Sequence, residues 1–328
     1  MFTAVGCQDE IDTPTQKPIL GERIVYTKYD RADPNSVVHG VSIDSNAGDP
    51  RDFGFGAIYD VHNSKLLMIF GNQATEQVTG MAVCNIDGSY DHMIDPSIFG
   101  ELSGFPALSP DGSKIAFYND DQGYKALYII NADGSGKRLI SNSIRRETKL
   151  CFSPDGSKIA YYVDTTTDDI IEPEGAIEVS TVDGSLKYEL VKVSSIASDL
   201  HATISWSVND KIAYSDDMIM IINANGTNAH PVAEGFGPSW NADGSTLAFA
   251  SDAGIRTTKD EGFTIDSYPF TAQQSCETVS WSPDGTRILY ESWLGNKEHS
   301  TTTLREVTLA NGNVRIMASP AMLGFYMK

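Results

Sequence analysis

One corner recurs along this chain and limits what it can fold into. Residues 108–118 read LSPDGSKIAFY, a Pro110-Asp111-Gly112 turn between two short apolar runs. The pattern returns as CFSPDGSKIAYY at 151–162 and WSPDGTRILYE at 281–291, and without the proline as WNADGSTLAFA at 240–250. Looser copies at 206–215 (WSVNDKIAYS), 58–70 (IYDVHNSKLLMIF) and 19–30 (ILGERIVYTKYD) keep the turn position and the apolar strand behind it. Seven copies, at positions 21, 63, 112, 156, 210, 244 and 285, span six intervals that average 44 residues. A period of that length with several short strands per unit predicts propeller blades and not a helical solenoid.

The physics of one unit agrees. In 105–140 an apolar run ends at Leu108, the corner turns the chain, IAFY follows as a second strand and LYII as a third. Asn131-Ala-Asp-Gly134 then supplies the Asp-Gly chemistry of a tight hairpin before KRLI, and similar corners end at Gly88, Gly184, Gly226 and Gly312. Each unit therefore reads as a four-stranded antiparallel meander. Successive side chains of a strand point to opposite faces. On the first strands Leu108, Phe152, Trp206, Trp240 and Trp281 are large, and the preceding Ala107, Cys151, Ser205, Ser239 and Ser280 are small. A large face on one blade can thus meet a small face on the next, so both rings are expected to be packing.

These motifs resemble the TolB-like, WD-repeat-like propeller repeat over nearly everything from residue 19 onward. That repeat is specific for fold and poor for function. It occurs in periplasmic accessory proteins, in the propeller domains of prolyl-oligopeptidase-like enzymes, in oligogalacturonate lyases and in other secreted proteins, so activity follows from it only by analogy.

Closure can be read from the ends. Residues 19–50 carry the second half of a turn, then the strand IVYTKY and then VVHGVSID, but lack a first strand, whereas Ala321 to Met327 is a lone apolar run where an eighth copy would begin. The economical solution joins this last strand to the N-terminal three in one composite blade. The expectation is all-β: a seven-bladed propeller occupying 19–328 as a single domain, with six blades as the alternative. Residues 1–18 are expected to be a tether, because Ala4-Val5-Gly6-Cys7 followed by a polar acidic stretch looks like a bacterial lipoprotein maturation site with Cys7 as the lipidated residue. Ala4 stands where leucine is usual, and only six residues precede the cysteine.

A surplus of 44 acidic over 24 basic residues, a net charge of −20, argues against nucleic acid, whose affinity rests on basic side chains. No apolar run approaches the roughly twenty residues that span a bilayer, so membrane association is expected only through a lipid on Cys7. Cys84, Cys151 and Cys276 show neither CxxC nor regular spacing, and are expected as buried thiols.

In a meander the second-to-third loops and the blade connections share one end, and there the loops at 71–80, 164–175 and 292–303 are long while 215–217 is minimal. Length variation marks that end as the expected binding face. It carries Asp120, Asp164, Asp217 and Asp252 in equivalent positions, a ring that would suit calcium or a basic group; the competing and weightier reading is that aspartates at strand ends cap turns. No cofactor is expected, calcium is the one candidate ion, and neither the cysteines nor the histidines show metal-ligand spacing. Arg145, Arg146 and Lys149 could grip a carboxylate, His201 could act as a base, and Glu277 lies on a further connection. Trp293, taken as an exposed loop aromatic, could anchor a sugar or protein. No G-x-S-x-G elbow or H-E-x-x-H motif is present, and no catalytic residue is assigned. The reading is a non-catalytic envelope module, periplasmic or at the surface, that presents one face to a protein or glycan. The alternative is a glycan-degrading enzyme resembling oligogalacturonate lyases.

Overall fold

A computed structural model describes residues 23–28, 39–44, 51–72, 77–85, 89–99, 102–121, 124–144, 149–164, 175–193, 203–259, 262–269, 274–276, 279–294 and 301–327. They form seven antiparallel sheets, six of them meanders in sequence order and one that combines the two ends of the chain; the only helix among them is Pro96–Phe99. Blade 3 is typical, with Leu102–Leu108, Lys114–Asp121, Tyr124–Asn131 and Arg138–Ile144 pairing in turn. First strands of neighbouring blades touch one another all the way round the ring, so they are innermost and the ring is closed.

Closure takes the composite form. Met322–Met327 is the first strand of blade 1 and pairs with Arg23–Lys28, placing Phe325 opposite Val25 and Tyr326 opposite Ile24. His39–Asp44 and Arg51–Phe55 complete that sheet. There are seven blades, not six.

The corners explain themselves at atomic scale. Gly112 sits at φ 73° and Gly156 at φ 70°, where a side chain is strained, and in blade 5 Asp210 holds the same place at φ 57°. In the three Ser-Pro-Asp-Gly copies the serine and aspartate close a circuit around the glycine. In blade 4 the Ser153 hydroxyl donates to Asp155 Oδ1 (2.6 Å) and accepts the Lys158 N–H (2.9 Å), while Asp155 also accepts the Ser157 N–H (2.9 Å). Blades 3 and 7 repeat it with Ser109, Asp111 and Ser282, Asp284.

Between blades, large meets small as the alternation predicts. Phe152 packs in one cluster with Ala116 and Tyr118 of blade 3, Trp206 with Ala160 and Tyr162 of blade 4, and Trp281 with Ala248 and Ala250 of blade 6. Full burial of such side chains is worth roughly 1.5–3 kcal/mol each.

Two loops are shorter than the sequence suggests. Strand Lys65–Asn72 runs further and its partner begins at Gln77, and strand Arg287–Leu294 continues through the start of the expected 292–303 loop. The first-strand position of blade 7 is split into Gln274–Ser275 and Val279–Trp281, both paired with Arg287–Leu294.

Candidate functional site

The innermost strands enclose an axial cavity of about 620 Å³. Aligning the blades on their second strands gives the wall its order. Phe325 faces Val25, Asp60 faces Leu67, Ala107 faces Ala116, Cys151 faces Ala160, Ser205 faces Ala213, Ser239 faces Ala248 and Ser280 faces Leu289. These seven residues, one from each blade, all line the cavity and form its waist. The next layer toward the Pro-Asp-Gly corners is Val61, Leu108, Phe152, Trp206, Trp240 and Trp281; beyond it His62, Pro110, Pro154, Val208, Ala242 and Pro283 ring the mouth. The two rings expected to be packing alone are therefore also the wall of the cavity.

Waist side chains fasten blade to blade. Leu108 N–H donates to Asp60 Oδ2 at 2.8 Å, and Trp240 N–H donates to Ser205 Oγ at 3.0 Å. The Trp206 backbone bonds Cys151 in the same sense, although burial, with the Asp60 charge adding to it, pushes that thiol up to about 12. Each bond satisfies an inner-edge N–H that has no strand partner. Asp60 also accepts its neighbour's Val61 N–H at 2.8 Å, and His62 Nε2 stands 3.6 Å from Asp60 Oδ1. The Asp60 side chain is 19% exposed.

The indoles differ from one another. Trp281 Nε1 donates to the Ser239 carbonyl of blade 6 at 2.9 Å, whereas the buried Nε1 atoms of Trp206 and Trp240 find no acceptor among the described residues. On the far side of the waist Lys149 lines the cavity, with its ammonium 5.6 Å from the centre of the Phe105 ring.

The sequence candidates fare unevenly. Asp120 and Asp164 lie at the ends of the second strands of blades 3 and 4, Asp217 is the one-residue link between Lys211–Asp216 and Met218–Asn223 at φ 55°, and Asp252 is exposed in the next tight link. Among the described residues no three His, Cys, Asp or Glu side chains stand together as a metal site. Trp293 is not a loop residue: it lies within Arg287–Leu294, opposite Ser275, and is buried at 7% exposure, because the strand runs on past Glu291. Cys7, Arg145, Arg146, His201 and Glu277, with the 1–18 tether, lie outside the described residues.

Sequence reading missed Asp60. The blade 2 corner, DVHNSK, has lost the Pro-Asp-Gly signature. Aligning Lys65 with Lys114 and Lys158 puts Ile58 in the column of Ala107 and Cys151, because the blade 2 corner is two residues shorter, and the pairing of Asp60 with Leu67 is what brings the carboxylate to the waist.

No protein-family model matches the sequence, and no curated protein matches it. Solved structures do resemble the fold. TolB from Acinetobacter baumannii superposes with a TM-score of 0.55 at 13% identity, covering 93% of this chain and 66% of that one. An oligogalacturonate lyase in complex with manganese gives 0.61 at 12% identity, covering 89% and 83%. A chain of a nidogen/laminin complex gives 0.50 at 11% identity, covering 93% and 98%. At these identities the likeness is one of fold.

Proposed function

We propose that this seven-bladed propeller is a non-catalytic binding module of the bacterial envelope, and that a partner segment, protein or glycan, enters its axial cavity. The observation that carries the reading is the cavity wall itself. Aromatic side chains from blades 4 to 7 line a concave space of about 620 Å³, with hydroxyls and one carboxylate set among them. Concave, largely apolar sites with a few convergent polar groups are the usual form of a recognition site. The TolB-like fold supports an envelope setting, and the likeness to a chain of a nidogen/laminin complex supports a protein partner. The cavity replaces the aspartate-bearing loop end as the place to look first.

Plugging the waist tests this. Ser280→Phe adds to blade 7 the side chain that Phe325 already contributes from blade 1. Wild-type protein immobilised against native envelope extract should retain a partner, identified by mass spectrometry, that the Ser280→Phe protein does not. Retention by both proteins overturns the cavity as the site. Turnover of an acidic polysaccharide, lost in the plugged protein, would replace the module with the enzyme.

A further inference from the structure

We infer that the axial cavity selects a cationic group, a primary or quaternary ammonium, held between Asp60 and the aromatic layer. The inference rests on the cavity being a binding site and adds the chemistry of what enters it. Of the seven waist residues, Phe325, Asp60, Ala107, Cys151, Ser205, Ser239 and Ser280, only Asp60 is a carboxylate. The fold does not need a charge there. Ser205 makes the equivalent bond from blade 5 to blade 6 with a neutral hydroxyl, and Cys151 does so from blade 4 to blade 5 with a thiol. Asp60 uses one lone pair on each oxygen for the Val61 and Leu108 N–H groups, out of about four that a carboxylate offers.

The surroundings complete the argument. Phe325 shares the waist with Asp60, and Phe152, Trp206, Trp240 and Trp281 form the layer next to it. Aromatic rings attract a cation through their quadrupoles, tryptophan best, and a carboxylate beside them favours the same charge in a partly desolvated space. Beside Asp60 and the Cys151 thiol, whose pKa burial raises, two basic groups share the cavity. Lys149 lies toward the opposite end with its ammonium over Phe105, and His62 stands at the corner-side mouth next to Asp60. The chain's net charge of −20 draws cations toward the molecule as a whole.

The test uses choline and its uncharged carbon isostere, 3,3-dimethylbutanol, with n-butylammonium as the primary amine. Three of the four tryptophans, Trp206, Trp240 and Trp281, line the cavity and report by fluorescence. Choline and n-butylammonium should give saturable changes, and the isostere should bind about tenfold or more weakly. Asp60→Asn, which keeps an oxygen for the Leu108 N–H, should bring choline to the isostere's level. Equal binding of choline and isostere by the wild type, no saturable response, or an unchanged choline affinity in folded Asp60→Asn overturns the inference. Should Asp60→Asn not fold, the wild-type pair of ligands decides alone. A partner lost from Ser280→Phe but kept by Asp60→Asn would leave the cavity reading intact and sink the cation.

Discussion

Asp155 holds its corner through three hydrogen bonds to one oxygen, from Ser153 Oγ, Ser157 N–H and Ser157 Oγ. Those donors, the Ser153 hydroxyl first, depress its carboxyl to about 2. A carboxyl lowered on folding stabilises above its unfolded value near 3.9 and loses that contribution as pH falls through the folded value. The corner is exposed, so replacing Asp155 by Ala should cost about 1 kcal/mol at pH 6. Denaturant midpoints should show the gap between the two proteins closing between pH 4 and pH 2, and a gap independent of pH would rule out the ionised carboxylate as its source. The tryptophans make a second residue-scale test. Trp281→Phe leaves the Ser239 carbonyl without its indole donor, whereas Trp206→Phe removes an N–H that has no acceptor among the described residues. With similar volume lost, the first should destabilise by about 1 kcal/mol more, read as the difference in unfolding free energy. Equal losses would mean the Trp281 bond contributes nothing.

Among elements, the corners act as interlocking parts as well as reversals. Asn209 Nδ2 of the blade 5 corner reaches the Asp243 and Gly244 carbonyls of blade 6, and Asn63 Nδ2 of blade 2 reaches the Asp111 carbonyl of blade 3. Gly244 and Gly312 share nearly the same backbone, φ 69° and φ 68°, but a Cβ on Gly244 would run into Ser207, Val208 and Asn209, whereas one on Gly312 meets nothing within 4 Å. Gly312→Ala should therefore cost only the left-handed strain of about 1–2 kcal/mol, and Gly244→Ala clearly more. Equal melting temperatures for the two would show that the corners do not dock. This is also where the sequence was legible and where it ceased to be. Turn chemistry and large/small alternation are local, so the strand order and the closing strand could be read directly. The bond from Asp60 to Leu108 joins residues 48 apart, and the Trp293 strand is held by a segment across its own sheet, so neither left a local pattern.

At the scale of the whole molecule, the ring is held shut by the last strand. Met322–Met327 pairs with Arg23–Lys28, and Ala321, fully buried, donates its N–H to the Thr302 carbonyl of blade 7 at 3.0 Å. Ile24, Tyr26 and Val41 of blade 1 share one apolar cluster with Leu289, Leu304 and Met317 of blade 7, so the seam is continuous with the core on both sides. Without the strand, blade 1 would keep three strands and an open inner edge facing the axis. Deleting residues 321–328 should therefore lower the unfolding free energy by several kcal/mol through lost burial alone. A milder change probes the same seam with the strand left in place. A Cβ on Gly324 would collide with the Leu304 side chain, so Gly324→Val should force blade 1 away from blade 7 and lower the midpoint by less than the deletion does. A deletion protein that unfolds at the wild-type denaturant midpoint would mean that the remaining blades close without the seam.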